Sequence, residues 1–431
     1  MKEIKKCTYC GKIHKSNVKK IFTGSGCISN LSELIKNCRK VFVLADKNTY
    51  AAAGEKVIGI IEKEKVGYSR FILSGDSIEP DENAVGSVIM HYDADCDFIV
   101  GIGSGVINDI GKIVSKATGR PYVIVATAPS MDGYASATSS TLIDGFKVSV
   151  KSKTPDFIIG DTEILKTAPS KMLKSGLGDM LAKYISICEW RISHLLRGEY
   201  YCEYVAEIVR TSLRKCVINA DGLLKKENAA IEAVFEGLAD SGAAMEYVGL
   251  SYPASGVEHY ISHIWDMRGL SKGTPVDFHG IQCAIGTLTA AKIYEQVKKI
   301  APDKEKALKY VQNFDKNKWN EALLDFVGDG AKAMIAQEEK EKKYDIAKHS
   351  ARLDKIIENW DEILRIINEE VPPASEIEKI LDTIKAPKSC EEIGMGKDIM
   401  PMTFKASKDV RDKYVLSRLC WDLGIIDEID I

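Results

Sequence analysis

Residues 97–112 read DFIVGIGSGVINDIGK: an apolar run, three glycines at alternate positions, then a helical stretch. Strand, glycine-rich turn, helix is the reading. Gly101, Gly103 and Gly105 let the backbone turn tightly and approach a phosphate without side-chain clash. The helix that follows offers unbonded N–H groups and a positive dipole end to a pyrophosphate. The spacing is GxGxG, not the dinucleotide-binding GxGxxG, so taken alone the turn is equally an ordinary tight connection.

Its neighbours repeat the same grammar. KVFVLAD (40–46), RFILSGD (70–76) and YVIVATAPS (122–130) are short, rich in Val and Ile, and end in small or turn-forming residues. Helical segments lie between, at 48–64 and 105–119. This alternation predicts a parallel sheet covered on both faces. Ligands of such sheets bind at the carboxyl edge of the strands, which favours a nucleotide at the glycine turn. Asp46, closing the strand KVFVLAD, could hydrogen-bond a ribose hydroxyl, or simply cap the next helix. Thr127, Ser130 and Ser136 bring hydroxyls to the same edge with Asp132 among them, although turn chemistry alone would place such residues there.

Past about residue 160 the strand signals stop. NKWNEALLDFV (317–327), DEILRIINEE (361–370) and SEIEKILDTI (375–384) have helical periodicity, the last with Ser375 and Glu378 as a candidate capping box. QEEKEKK (337–343) reads as a solvated helix face, and VPPAS (371–375) as a helix break. The expected architecture is a Rossmann-like nucleotide-binding α/β domain over 1–163, then an all-helical domain over 164–431. Two domains suit a chain of 431 residues.

Composition excludes several classes. A net charge of −3 argues against a nucleic-acid binder. MKEIKKCTYCGKIHK lacks the apolar core of a signal peptide, and no apolar run reaches the roughly 20 residues that span a bilayer. Eleven cysteines without a disulfide-like framework point to reduced thiols and the cytoplasm.

GVEHYISH (256–263) places His259 and His263 one turn apart on a helix face. Zinc proteases need HExxH; here Glu258 precedes the first histidine, and two ordinary helix histidines would give the same pattern. However, VDFHG supplies His279 nearby, so three of the seven histidines fall in one short region. SGLGDMLAKY (175–184) starts a helix with Asp179, a candidate carboxylate ligand or a residue favoured there by the helix dipole. Asp179, His259 and His279 with an open position would make a catalytic divalent site. CTYCGKIH (7–14) looks like half a zinc knuckle formed by Cys7, Cys10 and His14. No second CxxC exists, and the plain reading is a turn between two short strands.

Assembled in order, GIGSGVINDI, VATAPSMDGYAS, GLGDMLAKY, SGVEHYISHIWD and DFHG resemble the metal-dependent polyol dehydrogenase superfamily, which includes glycerol dehydrogenase and dehydroquinate synthase. Within it the chain is most similar to the bacterial sn-glycerol-1-phosphate dehydrogenases, with likeness continuing to KDVRDKYVLSRLCWDLGII (408–426). The resemblance implies a dehydroquinate synthase-like fold, an NAD(P)H cofactor and one divalent metal, Zn²⁺ or Ni²⁺ ahead of Fe²⁺. It implies cofactor contacts at Gly103, Gly105, Val106, Ile107, Asn108, Asp109, Thr127, Ala128, Pro129, Ser130 and Ser136, beside Asp46. Asp132 would bind substrate, Asp179, His259 and His279 the metal, and Asp179 and His263 would serve both substrate binding and catalysis. The implied reaction is reversible reduction of dihydroxyacetone phosphate to sn-glycerol 1-phosphate, for glycerophospholipid or ether lipid synthesis, by a homodimer without nucleic-acid or membrane partners. Arg268 and Lys272 could bind the phosphate, with solvated surface charge the preferred reading. Glycerol or another polyol as substrate, a dehydroquinate synthase-like cyclase, and a non-catalytic nucleotide- or zinc-binding protein are the alternatives. The helical sequence near 300–370 exceeds that of many family members and has no assigned role.

Overall fold

A computed structural model of the chain describes residues 6–75, 78–143 and 146–431. Eight strands are present among them: β1 (Lys20–Gly24), β2 (Lys40–Asp46), β3 (Gly67–Leu73), β4 (Phe98–Gly103), β5 (Tyr122–Ala126), β6 (Thr138–Ile143), β7 (Phe146–Lys151) and β8 (Phe157–Asp161). Six form one sheet in the order β1-β8-β5-β4-β2-β3, with every pair parallel. β6 and β7 form a separate antiparallel pair. β2 to β5 are the strands the sequence predicts. The expected strand ending in Asp76 stops at Leu73, and Asp76 itself lies outside the described residues.

Helix α1 (Lys47–Lys63) leads from β2 outward to β3, whereas α2 (Gly105–Thr118) leads from β4 the other way, to β5. Strand order therefore reverses between β2 and β4, and the carboxyl ends of those two strands flank the crevice where doubly wound sheets bind ligands. Below it Val41, Val43, Ile102, Val123, Val125 and Ile159 pack with Val57 and Ile61 of α1 into one apolar core.

The chain forms two compact units. The first comprises Met1–Met180 and Glu207–Leu250, the second Leu181–Ala206 and Ser251–Ile431. The first unit holds the sheet, α3 (Ser170–Leu181) as far as Met180, α5 (Glu203–Ile218) from Glu207 onward, and α6 (Asn228–Val248). Among the described residues no strand adjoins the CTYCGKIH segment; residues 6–19 form turns and irregular backbone.

The second unit is helical: α4 (Lys183–Arg197), α7 (Val257–Lys272), α8 (His279–Val297), α9 (Lys304–Gln312), α10 (Lys316–Val327), α11 (Gly330–Glu341), α12 (Ile346–Glu358), α13 (Trp360–Glu370), α14 (Ala374–Thr383), α15 (Ile399–Ser407) and α16 (Leu416–Asp422). Two expectations fail within it. The run QEEKEKK is not uniformly solvated. Glu338 and Lys343 are buried, Glu338 paired with Lys316 at 2.5 Å and Lys343 donating to the carbonyls of Lys408 and Arg411. The capping box in SEIEKILDTI does not form either. Pro373 is the N-cap without a side-chain bond, Ser375 lies inside the helix, and Glu378 pairs with Lys388.

The second unit is tied together by a buried charge cluster. Glu189 of α4 accepts N–H bonds from Val257 (2.9 Å) and Leu416 (2.8 Å), the first residues of α7 and α16. Lys413 donates to the carbonyls of Ser186, Tyr252 and Ser255 at 3.1, 3.0 and 2.6 Å. Burial pushes the Glu189 carboxyl up, with the Lys413 charge opposing and the Glu258 charge adding to the rise. Removing the lysine leaves three carbonyls without their donor and takes away the positive charge that opposes the rise of the Glu189 pKa. Lys413→Met is expected to cost about 3–5 kcal/mol, read as a fall in the urea midpoint at unchanged m.

Candidate active site

Two clusters of functional side chains emerge, one in each unit. In the first unit, β4 ends at Gly103 and α2 starts at Gly105, with Ser104 as N-cap. Of the three glycines, Gly101 lies within β4, where a Cβ would stand 2.5 Å from the Tyr122 hydroxyl; its reason is packing. Gly103 carries the close strand-to-helix turn, since a Cβ there would meet Ile107 at 2.4 Å. Val106 is half-buried at the start of α2.

The rest of α2 serves the neighbouring loop. Asn108 is fully buried, its amide donating to the carbonyls of Gly133 and Tyr134. Asp109 pairs with Lys112 at 2.8 Å and accepts from the Ser140 N–H. Asp46 caps α1 through a reciprocal capping box with Thr49, its Oδ1 taking the N–H groups of Asn48 and Thr49.

β5 runs into Thr127–Ser136, whose polar members Thr127, Ser130, Asp132 and Ser136 are all buried, as is Ala128. The Tyr134 hydroxyl donates to the Ala128 carbonyl at 2.6 Å, Ser175 donates to that of Ser130, and Ser136 bonds Thr138. Helix α3 presses directly on this loop at Gly176, where a Cβ would lie 1.9 Å from the Pro129 carbonyl oxygen. One turn on, Asp179 lies in the last turn of a helix that starts at Ser170, and not at its start as expected. It is fully buried and its Oδ2 accepts the Asp132 N–H at 2.9 Å. Asp132 in turn accepts from the Ser241 hydroxyl of α6 at 2.9 Å. The two aspartates bring carboxylate oxygens within 4.8 Å of each other. Carboxylates so close and so buried repel, which a divalent cation would relieve.

In the second unit, α7 and α8 pack face to face and gather the histidines. The rings of His259 and His279 are 5.0 Å apart, those of His263 and His279 6.1 Å. His259 is buried, with Nδ1 2.8 Å from Glu258 Oε1, which also accepts the Gly256 N–H. His279 has Nδ1 3.0 Å from the Ser262 hydroxyl. The carboxylate oxygen on Nδ1 of His259 leaves Nε2 as the ring nitrogen for a ligand, the usual preparation of a metal-binding imidazole. His263 is half-buried.

Two further groups belong to this cluster and were not anticipated. Glu258 holds a ring nitrogen. Cys283, one helical turn after His279, brings its sulfur within 4.8 Å of both imidazoles. Its burial favours the neutral thiol, but His259 and His279 beside it outweigh that and lower its pKa. The i, i+4 spacing in HGIQC was the available signal. Arg268 donates to the Phe326 carbonyl and lies over that ring at 4.7 Å, while Lys272 is exposed.

Residues 22–169 match the family model for iron-containing alcohol dehydrogenase. A glycerol-1-phosphate dehydrogenase [NAD(P)+] of Thermococcus kodakarensis is 32% identical over 63% of this chain and 75% of its own. The chain belongs to the glycerol-1-phosphate dehydrogenase family. A second member, from Halalkalibacterium halodurans, is 26% identical over 94% of this chain and 93% of its own, so the family likeness extends through the helical sequence beyond residue 300. The fold is that of glycerol dehydrogenase from Schizosaccharomyces pombe, at TM-score 0.61 and 17% identity over 99% of this chain and 91% of the other. Among the described residues no helix is long and apolar enough to cross a membrane.

Because backbone opposes backbone at Gly176, Gly176→Ala cannot be relieved by a rotamer change. It is expected to cost about 1–3 kcal/mol by displacing the 127–130 turn, measured as a fall in Tm.

Proposed function

We propose that the chain catalyses reversible, NAD(P)H-dependent reduction of dihydroxyacetone phosphate to sn-glycerol 1-phosphate, supplying glycerophospholipid or ether lipid synthesis. The observation that carries this reading is the pair of oriented histidines on α7 and α8, set in a chain of this family. Asp179, His259 and His279 are the proposed ligands of one divalent cation. A carboxylate with two imidazoles suits Zn²⁺, Ni²⁺ and Fe²⁺; Zn²⁺ or Ni²⁺ is our choice, whereas the matched family model is described by iron.

When bound, the metal polarises the C2 oxygen of the substrate as a Lewis acid, and the reduced nicotinamide supplies hydride. Asp132 and Asp179 orient the substrate hydroxyl. Half-buried His263, one turn beyond His259, delivers a proton to the C2 oxygen directly or through water. Gly103, Gly105, Val106 and Ile107 approach the pyrophosphate, with Asp109 in the same turn. Thr127, Ala128, Pro129, Ser130 and Ser136 line the nicotinamide side, and Asn108 acts on that side by holding the loop. Asp46 with its remaining oxygen on the ribose would favour NADH over NADPH. Arg268 is committed to Phe326, which leaves the phosphate-binding cations unassigned. The enzyme is proposed to work as a cytoplasmic homodimer.

The test is NADH oxidation with dihydroxyacetone phosphate in metal-free protein and after addition of Zn²⁺ or Ni²⁺. Turnover is expected only with metal, and Asp179→Asn or His259→Ala should lower kcat/KM about a thousandfold, the equivalent of several kcal/mol of metal assistance. Oxidation of glycerol without activity on the phosphorylated ketone would move the chain to the polyol dehydrogenases. Glu258→Gln keeps an acceptor for His259 but loses its charge, and should weaken metal affinity about 10–100-fold, read by competition with a chromophoric chelator.

A further inference from the structure

Outside this site, the N-terminal segment assembles a second set of metal-binding atoms. CTYCGKIH folds back on itself through two backbone bonds of 2.8 Å, Cys7 N–H to the Lys12 carbonyl and Gly11 N–H to the Cys7 carbonyl. Gly11 sits at φ 72°, a left-handed conformation that glycine adopts at no steric cost. The fold-back places one donor atom each from Cys7, Cys10 and His14 within 4.8 Å of one another. Cys10 Sγ and His14 Nε2 are 3.3 Å apart. With Zn–S near 2.3 Å and Zn–N near 2.0–2.1 Å, two corners of a tetrahedral zinc site stand roughly 3.5 Å apart.

The segment has no helix or strand over residues 6–19, yet Cys7, His14, Ser16 and Val18 are buried. Irregular chain that buries side chains without regular structure gains its order from a staple, and bound metal is one such staple. The segment is anchored to the end of α6: Ser16 and Asn17 bond the Glu246 carboxylate at 2.5–3.0 Å, and the His14 ring lies 5.7 Å from that of Tyr247. Five residues before Glu246, Ser241 holds Asp132.

We propose that Cys7, Cys10 and His14 bind a structural Zn²⁺, which fixes the N-terminal segment on the end of α6 and through it the helix that steadies Asp132. Two thiolates and an imidazole select zinc over the hard cations. Binding releases the thiol protons and involves no redox step.

The test measures zinc in the full-length protein by elemental analysis and zinc-edge X-ray absorption, first in Asp179→Asn, which disables the proposed catalytic site. Expected are about one zinc per chain and two or three sulfur neighbours. This result would stand even if the catalytic reading failed. Three sulfurs would mean that a further thiol completes the tetrahedron. Cys10→Ser, at a half-buried position, should lose that zinc and lower Tm while the protein stays folded by circular dichroism. Zinc-free Asp179→Asn protein purified without chelator, zinc without sulfur neighbours, or an undiminished zinc content in Cys10→Ser would overturn the proposal and leave only a thiol–imidazole hydrogen bond.

Discussion

Placement of the histidines depends on how the first turn of α7 is held. A helix begins with N–H groups that have no partner inside it, and here two of them meet buried carboxylates: Val257 meets Glu189, and Gly256, the N-cap, meets Glu258. Glu258 uses the same oxygen to hold His259 Nδ1. One acid therefore sets both the start of the helix and the tautomer of its first histidine. Glu189 extends the constraint to α16 through Leu416, and Lys413 gathers the carbonyls of Tyr252 and Ser255 in the approach to α7. Such burial is costly, since ionised groups lose their hydration. What offsets it is the set of directed bonds to backbone, which leave α7 little freedom to rotate.

The first unit reaches equivalent precision by different means. Its site residues sit on loops after parallel strands, and loops are normally mobile. The loop after β5 is immobilised by close backbone approach at Gly176, by the Asn108 amide on Gly133 and Tyr134, and by the Tyr134 hydroxyl returning to Ala128. Polar side chains face the loop from several elements, and the carbonyls of Ala128, Ser130, Gly133 and Tyr134 each have a side-chain donor. Asp132 then has its N–H on Asp179 and its carboxylate on Ser241, an arrangement that fixes the acid before any ligand arrives.

Much of this was legible in the sequence wherever the information is periodic or clustered. Four strands, the glycine turn and the change to helix beyond residue 160 follow from spacing alone, and the histidines stood out by density. β1 escaped because KIFTG is a short edge strand with no fully buried residue; its amphipathic signal is too brief to register. Gly101 was read as part of the turn, but its role is to make room for Tyr122, a partner some twenty residues away. The roles of Glu189 and Lys413 are of the same kind: a residue 227 positions distant supplies the N–H that gives Glu189 its purpose, and no local pattern records that.

The charge run at 337–343 shows why this limit is physical. A solvated helix face and one that buries a satisfied ion pair have the same composition and the same period. They differ in whether a partner arrives from elsewhere. Glu338 is buried because Lys316 of α10 reaches it; Lys343 because the carbonyls of Lys408 and Arg411 turn toward it. Arg352 and Arg418 meet Asp422 in the same way. Arg, Lys, Glu and Asp are almost never fully buried unless paired, so in the second unit charge marks where helices are joined as much as where they face water. The helices beyond residue 300 are accordingly part of the framework that carries α16 and, through Glu189, α7.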